Sequence, residues 1–337
     1  MKVSVLTVTY GDRFKYLKQV IDTCLKESGI YEFIVIDNAS LNKEKIEEEL
    51  LKYPDKKIKY IRLEKNTGSA GGYSKGIEYF YKSEANFLIM FDDDNKPEDN
   101  FLEKYKEEYQ NISKQKGKIT LTGYRKNLLA SENELREYKE FSRNSFFGFD
   151  IFDKNILKKI YKNFINKNYK EKKVWLDFYQ TNYFAYGSTM VSKEMVEKIG
   201  FPNKNFFIYS DDLDFSMRAK KIGYSFYISP YLIIEDLHLT YNDHYPHFFF
   251  ANNTKNYQIF LSIRNSIIAT KMNNSHNRFL FILNIIFYFF GILVLVSLRR
   301  KFLFKKTDLE RFNLILRAIK SGFEMDFTIP DFIGLPK

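Results

Sequence analysis

The chain has 337 residues, enough for a large core and an appendage. Its formal net charge is +11, from 53 Lys and Arg against 42 Asp and Glu, which suits phosphate-bearing substrates, anionic lipid or nucleic acid. The early chain carries no basic stripe interleaved with aromatics and no nucleic-acid motif, so nucleic acid is not an expected partner. Cys24 is the only cysteine, which excludes an intrachain disulfide framework and a multi-cysteine metal site and fits a reducing compartment.

The N-terminus, MKVSVLTVTYGD, enters a strand pattern at once, so no signal peptide is expected. Val3 to Tyr10 reads as a strand stopped by Gly11 and Asp12. Helical spacing follows over Tyr16 to Leu25, then a strand over Tyr31 to Ile36 closed by Asp37, Asn38, Ala39 and Ser40. Glu44 to Leu51 reads as a helix and Ile58 to Leu63 as a third strand. The glycine-rich stretch NTGSAGGYSKG, Asn66 to Gly76, leads into a helix through Tyr81. Its glycines allow backbone to approach a ligand and the next helix N-terminus favours phosphate, but a tight connecting turn explains it equally.

Phe87 to Asp94, FLIMFDDD, runs from an apolar strand straight into three carboxylates. Strands apolar throughout belong in parallel sheets covered on both faces, and ligands bind beyond their carboxyl ends. Adjacent carboxylates repel unless a cation neutralises them, and Mg²⁺ or Mn²⁺ suits oxygen donors. Alternation in an extended segment lets Asp92 and Asp94 share one ion while Asp93 points elsewhere, within the substrate site. A solvated acidic turn is the plain alternative, because Asn95, Lys96 and Pro97 follow.

Alternating short strands and helices specify an α/β fold with a mostly parallel sheet and flanking helices. Polar residues at the strand ends, Thr9 and Tyr10, Asp37, the glycine stretch and the aspartates, therefore converge on one edge. Asp37 stands where a ribose or base is bound, or else closes an Asx-turn. Phe101 to Gln110 reads as a helix, Ile119 to Thr122 as a strand, and 124–173 as a variable segment over the site. Asn182 to Val191 reads as a strand crossing a glycine, with a helix from Ser192 to Ile199. In FFIYSDDLDFSMRAKKIGY a helix over Leu213 to Lys221 follows Ser210, Asp211 and Asp212. Asp211 or Asp212 can act as a general base if burial or a cation tunes it, and one of Ser210 and Asp211 can cap the helix. Tyr224 to Ile234 is β-rich and leads to His238, which has His244 and His247 near it but no zinc spacing.

VTY at 8–10, DNAS at 37–40, NTGSAGG at 66–72, FDDD at 91–94 and YSDDLDFSMRAKKIG at 209–223 together resemble family-2 glycosyltransferases of the GT-A fold. The resemblance runs from about residue 3 to residue 240 and is greatest to bacterial galactofuranosyl- and rhamnosyl-type transferases. It implies that Thr9, Tyr10 and Asp37 hold the nucleoside of a UDP- or dTDP-sugar. Asn66, Gly71 and Gly72 would shape the nucleotide and sugar wall. Asp92 and Asp94 would match the D-x-D metal pair, with His238 completing the metal site. Asp212 would be the catalytic base with Asp211 beside it, and Trp175 an aromatic wall for the acceptor. Where relatives often read G-G-F-N, this chain has Gly71, Gly72, Tyr73 and Ser74, which loosens any inference about the sugar.

The implied division is a catalytic domain over 1–240, with a nucleotide-sugar half over 1–122 and an acceptor half over 175–240, then a helical membrane-associated region over 241–337. The implied activity is metal-dependent, inverting transfer to a lipid-linked or cell-surface glycan. The rival is a non-catalytic nucleotide-sugar-binding subunit of a glycan assembly complex. Phe279 to Leu298 holds twenty residues without a charge, long enough to span a bilayer. Arg299, Arg300, Lys301, Lys305 and Lys306 follow it. A single span from a cytoplasmic domain would carry this cluster outside, against the positive-inside rule. The expectation is a monotopic helix in the inner leaflet, on anionic headgroups at the cytoplasmic face, with a buried soluble helix as the alternative. The 307–323 stretch reads as amphipathic, with Leu309, Phe312, Leu316 and Ile319 on one face.

Overall fold

The structure is a computed structural model, described here for residues 1–125, 144–153, 177–238, 248–251, 253–273, 277–299 and 305–335. The chain divides into two compact units, one of residues 1–139 and 175–240, the other of 140–174 and 241–336.

In the first unit β1 (Val3–Thr9), α1 (Phe14–Lys26), β2 (Ile30–Asp37), α2 (Lys43–Leu50), β3 (Ile58–Arg62), α3 (Gly68–Lys82) and β4 (Phe87–Asp92) alternate as expected. β5 (Asn95–Pro97), α4 (Phe101–Lys116), β6 (Ile119–Arg125), β7 (Tyr179–Thr181), β8 (Thr189–Ser192), α5 (Lys193–Ile199), α6 (Asp211–Lys221) and β9 (Ser225–Asp236) follow. Among the described residues the strand order is β3-β2-β1-β4-β8-β6-β9-β5, with β7 on β9. β3, β2, β1 and β4 are mutually parallel; β8 runs antiparallel to β4 and β6, and β5 and β7 run antiparallel to β9.

β1 is buried along its whole length because helices cover both faces. Val3 and Val5 join one core with Leu17, Val20, Ile21, Phe101 and Tyr105. Leu6 and Val8 point the other way, into a core with Tyr73, Ile77, Phe80, Met195 and Phe215. This alternation is the strand pleat, and it fixes which face each helix covers.

Three local readings change. The glycine-rich segment is mostly the first two turns of α3, which begins at Gly68. Helix propensity disfavours glycine there, but a Cβ on Gly72 would sit 2.5 Å from Val8 Cγ1, and one on Gly76 would strike Leu6. Asn182 to Val191 is not one strand: only Thr189–Ser192 is β8, and the chain turns before it at Gly187 and Ser188, the latter at φ 66°. The residues after the aspartates are not a solvated turn, since Asn95–Pro97 pairs antiparallel with Ile234–Asp236.

In the second unit α7 (Asn256–Asn273), α8 (Arg278–Arg299) and α9 (Lys306–Glu324) pack with residues 144–153, so that part of 124–173 belongs here. α7, which the sequence reading did not single out, is buried nearly all round and carries no one-sided apolar stripe to find. Arg264 is fully buried in it, donating from Nη1 to Thr328 O (2.8 Å), and burial lowers its pKa to about 10. α9 buries Leu314, Ile315, Ala318 and Gly322 rather than the predicted face, leaving Leu309 and Leu316 exposed. Gly322 permits this, because a Cβ there would press on Ile267 of α7.

Gly76→Ala tests the α3–β1 contact. Ala gains about 1 kcal/mol of helix propensity, but overpacking costs about 1–3 kcal/mol. The expected result is a net loss of stability in denaturant melts; a gain would show that Leu6 yields freely.

Candidate active site

Because β1, β2 and β4 are parallel and in register (Thr9 with Asp37, Val8 with Asp92), their carboxyl ends present side chains along one edge. Asp37 is there as expected, but the chain itself uses its carboxylate. Oδ1 accepts from Ser40 N (2.6 Å), an Asx-turn, and Oδ2 accepts from Tyr60 Oη (2.6 Å) and pairs with Arg62 Nη1. The next residue, Asn38, ties β2 to the glycine segment. Its Oδ1 accepts from Thr67 N and Oγ1 (both 2.9 Å), and its Nδ2 donates to Gly68 O (2.9 Å) and Asn66 Oδ1 (3.1 Å).

The glycines of this segment meet protein rather than open space. Gly68 is left-handed (φ 70°), and a Cβ there would collide with Phe207 O. Ala70 N donates to that same carbonyl (3.0 Å), so the start of α3 is stitched to the segment before α6. A Cβ on Gly71 would strike Thr67. Asn66, Gly71 and Gly72 thus make chain–chain contacts that hold α3 against β1 and the Asn38 turn.

The three aspartates diverge at the end of β4. Asp93 is buried, accepting from Thr9 Oγ1 (2.8 Å) and Arg13 Nε (2.7 Å), and burial pushes its pKa up to about 7. Asp94 accepts from Arg13 Nη2. Asp92 turns the other way: Oδ1 accepts from Tyr73 Oη (2.6 Å), and Oδ2 lies 3.9 Å from Arg125 Nη1. Arg13 is itself flanked by Tyr10 and Tyr16, whose ring centres lie 5.6 Å and 5.4 Å from its guanidinium carbon.

On the far side, Asp236 Oδ1 accepts from Arg125 Nε (2.7 Å), Arg125 Nη2 (2.6 Å) and Asn95 Nδ2 (2.9 Å). Leu237 N donates to Asp94 O (2.9 Å), which brings His238 to the aspartates along the backbone. His238 lies tilted against Tyr16, with ring centres 5.2 Å apart, and its Nδ1 is buried without a hydrogen-bond partner among the described residues.

Among the described residues no three His, Cys, Asp or Glu side chains form a ready metal cage, so Asp92, Asp94 and His238 do not converge as a set. The donors nevertheless fit a hard cation that arrives with a diphosphate, since Mg²⁺-like ions use one or two carboxylates plus phosphate oxygens.

α6 opens on the catalytic candidates. Ser210 takes its N-cap position with a left-handed backbone (φ 60°) and makes no side-chain cap bond. Phe207 and Tyr209 are also left-handed (φ 64° and 67°), and Ala39 and Ser188 share that conformation near the strand ends. Such strain costs about 1–3 kcal/mol per residue and concentrates at functional sites. Asp211 is buried and accepts from Ser69 Oγ (3.1 Å). Asp212 Oδ1 accepts from Leu213 N (2.8 Å). Burial pushes the Asp211 carboxyl well up, and it pushes Asp212 to about 6, with the charge of Asp92 adding to the rise.

Trp175 lies outside the described residues. The sequence reading missed Arg13, Asn38, Ser69, Arg125, Gly187 and Asp236. Arg13 directly follows the VTYGD string and Asp236 lies two residues before His238, but neither position by itself announces a partner.

Residues 4–200 match the family model described as Glycosyl transferase family 2. No curated protein matches the sequence. Among solved structures, the chain is similar to TarS 1–349 of S. aureus in complex with UDP-GlcNAc (TM-score 0.53, 14% identity, covering 99% of this chain and 83% of that one). It is also similar to the mannosyltransferase PcManGT from Pyrobaculum calidifontis in complex with GDP-Man and Mn²⁺ (TM-score 0.55, 10% identity, 96% and 83%). A third likeness is to GalNAc-T7 with UDP, GalNAc and Mn²⁺ (TM-score 0.54, 15% identity), where it covers 80% of this chain and 48% of that one. This chain therefore spans about half the length of GalNAc-T7, and of full TarS, of which 50% is covered. At such identities the likenesses speak for the fold. The family match spans more than half of the sequence, and the chain belongs to glycosyl transferase family 2.

Proposed function

We propose that the protein transfers a sugar, with inversion, from a nucleotide-diphosphate donor to a hydroxyl of a lipid-linked or cell-surface glycan. The observation that carries this reading is the place of Asp212, in the first turn of α6 and close enough to Asp92 to feel its charge, where burial raises its pKa. A base with a pKa near the working pH is what proton removal from a hydroxyl requires. Asp212 takes the acceptor proton as the acceptor oxygen bonds to the anomeric carbon, and the bond to the diphosphate breaks on the opposite face. Asp94 and Asp92 would hold Mn²⁺ or Mg²⁺, with His238 as a further ligand. The ion supplies charge neutralisation to the leaving diphosphate. Arg13 fixes Asp94 and Asp93, and Thr9, Tyr10 and the Asp37–Asn38 turn frame the nucleoside. A UDP- or dTDP-sugar, with galactofuranose or rhamnose among the candidates, is the donor class.

The site works where nucleotide sugars are, at the cytoplasmic face of the plasma membrane. α8 supports a monotopic seat there. One face is packed: Phe281, Ile285, Phe289, Ile292 and Val296 are buried, and Asn284 binds Asn144 O (2.8 Å) and accepts from Ile151 N (2.8 Å). The opposite face is apolar yet open, with Phe279, Ile286, Phe287, Phe290, Val294 and Leu298 between 40% and 68% exposed. A helix with half its girth committed to protein lays the other half into one leaflet, and Arg278 and Lys305 nearby suit anionic headgroups.

Asp212→Asn should lower kcat by about 10²–10⁴-fold with nucleotide affinity within about twofold of wild type, read by donor turnover and calorimetry. In wild type kcat/KM should fall about tenfold per pH unit below about 6, as Asp212 gains its proton; a flat profile would remove Asp212 as the base. UDP or dTDP should bind with Mn²⁺ and lose affinity with EDTA or in Asp94→Ala, whereas equal binding in all three would end the metal assignment. In vesicle co-sedimentation, Phe290→Glu with Val294→Glu should release the protein from anionic vesicles. Wild-type protein resisting alkaline carbonate extraction would instead indicate a span.

A further inference from the structure

Asp92 stands between two donors, and the roles above assign nothing to one of them. Tyr73 lies in the second turn of α3, and its Oη donates to Asp92 Oδ1 at 2.6 Å. The same Oη lies 3.2 Å from Phe91 O, but a hydroxyl has one proton, and the nearer, charged acceptor takes it. A length of 2.6 Å is that of a charge-assisted bond, which is stronger than a neutral one.

The donor is fixed more firmly than the acceptor. Tyr73 is buried, and its ring stacks on that of Tyr186, also buried, with centres 4.2 Å and planes 28° apart. Its helix cannot slide, because Gly72 fits against Val8 and Gly76 against Leu6. The Asp92 side chain, on the last residue of β4, is instead 40% exposed. A carboxylate that open at a strand end turns about its own bonds unless a partner holds it.

Arg125 is the group that would take it. The guanidinium is clamped through Nε and Nη2 on Asp236 Oδ1, and its Nη1 stops 3.9 Å from Asp92 Oδ2, beyond hydrogen-bond distance. A rotation of Asp92 toward Nη1 would close this pair and commit the carboxylate to a cation of the protein. The bond from Tyr73 opposes that rotation. A carboxylate offers about four lone-pair sites, so one bond from a tyrosine leaves Asp92 able to ligate. Partners behind a metal ligand orient it and raise metal affinity in this way.

We infer that Tyr73 is a positioning residue: its hydroxyl keeps the Asp92 carboxylate open to the divalent cation that would arrive with the diphosphate, and out of a closed pair with Arg125. The inference rests on the glycosyltransferase reading, with Asp92 as a metal ligand. The role belongs to the hydroxyl, since the ring packs on Tyr186 whether or not it carries one.

Tyr73→Phe removes the hydroxyl and keeps the ring. Tyr53→Phe is the control, because it removes a like bond to a carboxylate, from Tyr53 Oη to Asp22 Oδ1 (2.8 Å), elsewhere in the same unit. Full-length wild type and both variants, each shown to be folded by thermal melts, are titrated with Mn²⁺ at saturating UDP, and free Mn²⁺ is counted by electron paramagnetic resonance. UDP affinity is then measured by calorimetry over a range of Mn²⁺ concentrations. Mn²⁺ affinity should fall about 10–100-fold in Tyr73→Phe and stay within about twofold in Tyr53→Phe. Raising Mn²⁺ by the factor lost should bring UDP affinity in Tyr73→Phe back to within about twofold of wild type, by mass action. A general defect of packing would not be repaired by metal. Equal Mn²⁺ affinity in Tyr73→Phe and wild type would overturn the inference. So would a loss of UDP affinity that excess Mn²⁺ leaves in place, or an equal loss of Mn²⁺ affinity in Tyr53→Phe. UDP bound equally with and without Mn²⁺ would remove the metal assignment and the inference with it. Folded wild type that binds neither UDP nor Mn²⁺ would instead overturn the glycosyltransferase reading.

Discussion

Three consecutive carboxylates at the mouth of a buried strand repel one another, and much of the first unit is arranged to bear that. Arg13 takes Asp93 and Asp94 from one side, and Arg125, steadied by Asp236, approaches Asp92 from the other. Neither cation is free to drift. Arg13 is flanked by Tyr10 and Tyr16, and Arg125 is clamped through two nitrogens on one carboxylate oxygen. Breaking a buried ion pair by removing one partner costs about 3–5 kcal/mol, since it strands the other charge. These arginines therefore belong to the scaffold as much as to the site. They also divide the aspartates by role, with Asp93 turned inward and Asp92 and Asp94 left near the surface on either side.

The alternating β and α pattern was legible because β1, β2 and β4 are covered on both faces and so are mostly apolar, bounded by polar strand ends. The convergence of Thr9, Asp37 and Asp92 on one edge followed from parallel pairing alone. What stayed hidden was the antiparallel half. β5 is three residues of Asn, Lys and Pro, with no apolar alternation, and it exists because β9 runs twelve residues and offers it an edge. β8 was blurred into a longer strand because the turn at Gly187 and Ser188 lies within an otherwise strand-like string. α7 was missed for a different reason: a helix buried on all sides lacks the one-sided pattern that betrays a surface helix.

Among site residues, legibility followed chain distance. Carboxylates next to one another were found, and partners far away in the chain were not. Arg125 and Asp236 are 111 positions apart, and Ser69 and Asp211 are 142 apart. Asp37 was correctly placed, yet only the structure assigns its oxygens to Ser40, Tyr60 and Arg62. The tuning of Asp212 was equally out of reach, because it depends on burial and on Asp92 rather than on neighbours in sequence.

The glycines of α3 bear on how natural variation should be read. Gly72 and Gly76 are small because Val8 and Leu6 are large, and Gly68 is left-handed because the carbonyl of Phe207 occupies the space a side chain would need. Their identity records the fit of a helix to a strand and to a neighbouring loop. In a set of relatives, positions 72 and 76 should change together with 8 and 6, whichever sugar each enzyme handles. An invariant glycine at 68 would report the path of the Phe207 loop.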